Sequence, residues 1–158
     1  MVVTSVSKST IIENIWKNFY DRVKAQVTSV SITGPSTITI QNYVSSFPDS
    51  LIDSKSNYPI LVVNDPQVPT ESFTSGKSRV DGTIEVEIYT TQNEAASKFL
   101  SKIIDSIETY KGSLAGVKLK NIEVGEISQD KAFRGKVKLH NRSVVFNFTY
   151  FYSKTEGF

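Results

Sequence analysis

Residues 144–152 read Val144-Val145-Phe146-Asn147-Phe148-Thr149-Tyr150-Phe151-Tyr152. Side chains alternate across a strand, so Val144, Phe146, Phe148, Tyr150 and Tyr152 share one face, and Val145, Asn147, Thr149 and Phe151 share the other. So much aromatic surface has to be covered, either by helices of the same chain or by a neighbouring subunit.

Two segments have the amphipathic pattern needed for that cover. Thr10 and Glu13 stand at capping-box spacing, in which each side chain satisfies an otherwise unpaired backbone N–H. Ile12, Ile15, Trp16, Phe19, Tyr20, Val23 and Val27 follow at helical spacing, which predicts a helix over 10–27 with Trp16 in the core. Thr91 and Glu94 repeat the capping-box spacing, and Ala95, Ala96, Phe99, Leu100, Ile103, Ile104, Ile107 and Tyr110 form a second stripe. Gly112 is the expected stop of that helix.

The remaining segments read as strands and loops. Residues 29–33 and 37–41 alternate around Gly34-Pro35-Ser36, the pattern of a hairpin or of two short edge segments. The polar stretch between Phe47-Pro48 and Tyr58-Pro59 reads as a loop. Ile60-Leu61-Val62-Val63 is a short buried strand stopped by Asn64-Asp65-Pro66. Residues 64–78 show no periodicity and predict a long loop, of the kind that is functional or orders against a neighbour. Val80, Gly82, Ile84, Val86 and Ile88 alternate with polar residues as a half-buried strand. Leu119, Ile122, Val124 and Ile127 mark another extended segment, with a turn expected near Gln129-Asp130. The inward parity then moves from odd residues (Val137, Leu139) to even ones (Val144, Phe146), which predicts a bulge or a turn near Asn141-Arg142-Ser143. The order of elements implies one α+β domain over 1–158, with a mainly antiparallel or mixed sheet and both helices on one face. Residues 1–7 and 154–158 are expected to be flexible.

Composition narrows the function classes. Cysteine is absent, which removes disulfides, thiolate metal sites and a cysteine nucleophile. No apolar run approaches the roughly 18 residues of a membrane span, and the first residues lack the basic and apolar regions of a secretory signal. The net charge of +2 does not by itself imply nucleic-acid binding. Its distribution is uneven. Residues 45–94 hold eight acids against three bases, and residues 118–142 hold seven bases against three acids. Two such halves are suited to a head-to-tail contact between identical subunits.

Catalytic signatures are missing. His140 is the only histidine, and no nucleophile-elbow pattern accompanies it. Glu85 and Glu87 share a strand face and are a possible carboxylate pair, yet this spacing is common on the wet face of a sheet. There is no phosphate loop or dinucleotide fingerprint, so neither an enzyme nor a cofactor is expected. A basic run (Arg134, Lys136, Lys138, Arg142) followed by Phe146, Phe148 and Tyr150 leaves a nucleic-acid-binding module open as an alternative.

Several of these pieces together resemble a known family. A capped N-terminal helix leads to Ser45-Ser46-Phe47-Pro48-Asp49 and Tyr58-Pro59-Ile60-Leu61-Val62-Val63. The strand-to-helix run from Val80-Asp81-Gly82-Thr83-Ile84-Glu85 to Tyr110 follows, and the aromatic strand closes the order. Over roughly residues 8–153 this order resembles the tail terminator proteins of long-tailed, non-contractile bacteriophages. The resemblance implies a subunit of a hexameric ring in the virion tail, assembled in the host cytoplasm. It implies that the ring caps the tail tube protein, stops its polymerisation and meets a head-completion or connector protein, with DNA passing through the lumen without specific binding. Another head-completion or minor tail protein is the alternative within the same class. The family brings no catalytic residues and no membrane contact. The assembly contacts inferred for this sequence are Arg134, Lys136, Lys138, Arg142, Glu85, Glu87, Asp65, Glu71 and Phe73.

Overall fold

A computed structural model describes residues 8–46, 54–68, 79–134 and 137–151, with the side chains of 8–10 and 130–137 outside that description. The chain runs α1 (Lys8–Gln26), β1 (Ser29–Ile32), β2 (Ser36–Thr39), β3 (Asn42–Val44), a 3-10 turn (Lys55–Asn57), β4 (Ile60–Val63), β5 (Arg79–Thr90), α2 (Asn93–Thr109), α3 (Lys111–Gly116), β6 (Leu119–Arg134) and β7 (Val137–Phe151). Five strands form a mixed sheet in the order β3-β4-β5-β7-β6, and β1 and β2 form a separate hairpin. The fold is α+β, as the sequence implies.

The aromatic strand is central, and its cover comes from the chain itself. β7 pairs antiparallel with β5 over twelve residue pairs, from Arg79↔Phe151 to Thr90↔His140, and with β6 on its other side. Val144, Phe146, Phe148 and Tyr150 are all buried, together with Ile84, Val86 and Ile88 of β5. Above them lie Ile11, Ile15, Phe19 and Val23 of α1 and Ala95, Phe99, Ile103 and Ile107 of α2. The Phe19 ring sits 6.2 Å from Phe146 and 5.7 Å from Phe148, centroid to centroid. Each fully buried side chain of this size stabilises the fold by roughly 1.5–3 kcal/mol. Trp16 lies at the margin of this core, stacked on Tyr20 at 4.5 Å and donating Nε1–H to the Val63 carbonyl at 2.7 Å.

The β1–β2 hairpin is tied to α2 through side chains. Glu94, Lys98 and Lys102 lie four apart on the helix and meet Thr33, Ser31 and Ser29, which lie two apart on the chain. Four helical residues, about 6 Å, match two strand residues at about 6.6 Å. The helix stripe therefore satisfies two carbonyls and one N–H of the strand edge. Hydrogen bonds from Thr33 hold the Glu94 carboxyl below its ordinary range, with Lys98 adding a smaller effect.

Several sequence expectations are corrected. Thr10 lies inside α1, which starts at Lys8, so it cannot be the N-cap. Gln92 caps α2 without a side-chain bond, and Glu94 is occupied by Thr33 rather than by a capping box. Gly112 lies within α3, and α2 ends at Thr109. β3 was not anticipated; its three residues pair in parallel with β4. β6 runs through Gln129 and Asp130 without a turn, because pairing with β7 outweighs the local preference of those residues. β7 shows neither a bulge nor a turn at 141–143. The register shifts lie in β6, between Lys120 and Glu123 and between Val124 and Glu126. The parity change has another cause: the sheet is buried on both faces near that end. Leu139 joins Tyr58, Ile60, Val62 and Tyr89 in a second cluster on the face away from α1 and α2.

The expected loop 64–78 begins as an ordered extension of β4. Asn64 N–H donates to the Glu85 carbonyl, and Gln67 exchanges both backbone bonds with Thr83. A Cβ on Gly82 would lie 2.6 Å from the Gln67 carbonyl oxygen and 2.7 Å from Val68 Cγ1, so this crossing requires glycine. Residues 69–78 lie outside the described residues, as do residues 47–53 of the loop expected between Phe47-Pro48 and Tyr58-Pro59, and the termini 1–7 and 154–158.

Phe19→Ala is expected to cost about 3–5 kcal/mol in urea unfolding. Ile127→Ala, at a residue 53% exposed, should stay within about 0.5 kcal/mol. Gly82→Ala should cost about 1–3 kcal/mol through overpacking. Equal losses in all three would contradict this core.

Candidate functional site

Two separate charged features stand out. The first is an acidic depression on the outer sheet face, away from α1 and α2. Strand alternation that buries Ile84, Val86 and Ile88 turns Asp81, Thr83, Glu85 and Glu87 to this face. The depression has a volume of about 520 Å³ and is lined by residues that include Asn64, Asp65, Gln67, Thr83, Glu85 and Val145. Asn64 Nδ2 donates to Glu87 Oε2 at 3.1 Å and lies 3.4 Å from Glu85 Oε1, bridging the two carboxylates. Tyr89 donates its hydroxyl to Glu87 Oε1 at 3.3 Å. Partial burial pushes the Glu85 carboxyl above its ordinary range. Glu87 and Glu126 add repulsion, and a hydrogen bond from Ser143 opposes them. Three acids singled out from the sequence, Asp65, Glu85 and Glu87, are thus gathered in one place.

The second feature is the β6–β7 hairpin end. Its last pairs, Ala132↔Leu139, Phe133↔Lys138 and Arg134↔Val137, extend past Thr90, the final residue of β5. Residues 131–138 hold four bases and no acid. Lys138 is exposed. From Ser143, opposite Glu87, to Lys138 is five strand residues, roughly 17 Å, and from Val145, opposite Glu85, it is seven, roughly 23 Å. The exposed Lys138 is therefore too far from either glutamate for an ion pair.

Other sequence-named residues fall elsewhere. Arg142 is 8% exposed and donates to Asn93 Oδ1 and to the Asn141 carbonyl, which makes it an internal tie between β7 and α2 rather than a surface contact. Lys136, Glu71 and Phe73 lie outside the described residues. Phe146, Phe148 and Tyr150, whose closeness to the basic run suggested base stacking, are buried under α1 and α2. Stacking needs an accessible ring face, so these rings cannot supply it. Among the described residues no group of three His, Asp or Glu side chains is placed to hold a metal ion, and no helix is long and apolar enough to cross a membrane.

Sequence reading missed Asn64, Lys98 and Lys102. Asn64 carried only a turn signal. The four-residue spacing of Glu94, Lys98 and Lys102 was visible, but its strand counterpart was not.

A folded-state carboxyl raised above its unfolded value binds protons more readily in the native state, so its ionisation opposes folding as pH rises through that window. Glu85→Gln is expected to raise the melting temperature at pH 7, with the gain shrinking as pH falls below the ordinary carboxylate range. A gain independent of pH would contradict the assigned cause. No protein-family model matches this chain, and no curated protein matches it.

Proposed function

We propose that this chain is a structural virion protein, a tail terminator that caps the tail tube of a long-tailed phage as a ring. The order of its elements supports this reading, as does the separation of two unlike charged features on one subunit. The carrying observation is the second: a basic hairpin end that runs past β5 and an acidic depression roughly 17–23 Å away. Such patches cannot satisfy each other in one subunit, but they can between neighbours in a heterologous, ring-closing contact. Electrostatic complementarity of this kind fixes register and partner more than it adds affinity.

On this reading the contacts are Arg134, Lys136 and Lys138 on one side and Asp65, Glu85 and Glu87 on the other. Glu71 and Phe73 belong to the segment that would reach a neighbour or the tube. The hexameric ring would bind the last layer of tail tube protein, stop polymerisation and offer its far surface to a head-completion or connector protein. A net charge of only +2 per subunit suits a lumen that passes DNA without holding it, because tight binding depends on many cationic phosphate contacts. The reading includes no reaction and no cofactor.

Mixing the protein with purified tail tubes and following size by light scattering tests the proposal. Rings or capped tubes are expected, and Arg134→Glu with Lys138→Glu should reduce capping at least tenfold while leaving the melting curve unchanged. A persistent monomer that leaves tube growth unaffected would sink the proposal. Capping indifferent to the two substitutions would remove the hairpin from the contact.

A further inference from the structure

A groove of about 540 Å³ lies between β1 and α2, with Ser29 and Ser31 on one side and Ser97, Lys98, Ser101 and Lys102 on the other. Among the described residues no carboxylate lines it. Lys102 donates to the Ser29 carbonyl at 2.6 Å, and Lys98 donates to the Ser31 carbonyl. Among the described residues, Lys102 has no carboxylate within ion-pair distance, whereas Lys98 lies 3.5 Å from Glu94. The two ammonium groups are thus held in register by neutral carbonyls, and their charge is only partly compensated. Both bonds are solvent-exposed, so other acceptors compete with the carbonyls for the two ammonium groups.

We infer that this groove binds an extended acidic peptide segment of another protein, one that presents carboxylates on alternate residues. The spacing favours it. Alternate side chains of an extended chain repeat at about 6.6 Å, and the two lysines stand four helical residues apart, about 6 Å along the axis. Each carboxylate would take a lysine from its carbonyl, and the serine hydroxyls would supply further donors. Because backbone groups alternate along an antiparallel strand, the Ser29 and Ser31 N–H groups point the same way as their carbonyls and can face the peptide. Nucleic acid fits less well: no aromatic ring lines the groove for bases to stack on. The inference does not depend on the tail-terminator reading.

The test is fluorescence anisotropy with a labelled peptide of alternating glutamate and serine, using the full chain. Saturable binding is expected, weakened at least tenfold by K98Q/K102Q, which keeps amide donors for the carbonyls of Ser29 and Ser31 while removing charge. S97D/S101D places carboxylates in the groove that compete with the peptide for the two lysines and repel it, and should also abolish binding. A matching glutamine–serine peptide should not bind. Unchanged affinity in both variants, with circular dichroism showing that they are folded, would overturn the inference. So would tighter binding of an oligothymidylate strand through the same lysines, or self-association abolished by the same substitutions, which would make a second copy the occupant.

Discussion

The pairing of β7 with β5 is the constraint on which the rest of this structure depends. Its register of twelve pairs sets Phe146 beside Ile84 and Val144 beside Val86, giving one continuous apolar floor. A slip of one residue would turn every one of those side chains to the opposite face. Asn147, Thr149 and Ser143 would then be buried beneath Phe19 and Phe99. The same register fixes the outer face, where Thr149 Oγ1 donates to Asp81 Oδ1 at 2.7 Å and Glu85 lies opposite Val145. Core and acidic depression are two consequences of one pairing.

Much of this was legible in the sequence, because the longest elements have unambiguous periods. The even face of the aromatic strand, the α1 stripe at Ile15, Phe19 and Val23, and the alternation of β5 each admit one burial solution. Illegible features had competing local signals. Gln129-Asp130 resembles a turn, yet sixteen residues of β6 pass through it. Leu139 has the wrong parity for the main core and is buried all the same, since a second cluster covers the other face. Period-two logic assumes that only one face is covered, and here it fails for that reason.

The candidate surfaces were half legible. Charge counts along the chain locate an acidic region and a basic region, but they cannot tell an exposed base from a buried one. Arg142 was counted as surface charge and is an internal tie to Asn93. Lys98 and Lys102 were overlooked, because a lysine stripe on a helix usually marks a solvated face. Only the tertiary arrangement reveals that β1 runs along it. Charge placement thus has a structural use within the chain: Glu94, Lys98 and Lys102 tie the β1–β2 hairpin, a unit marginal on its own, to α2.

The central claim is that the basic hairpin end and the outer acidic depression serve to end tube growth. Electron microscopy of tail tubes assembled with and without this chain measures it most directly. The account predicts tubes of one length when the protein is present and a broad, extended distribution when it is absent. Identical length distributions in the two preparations would contradict it.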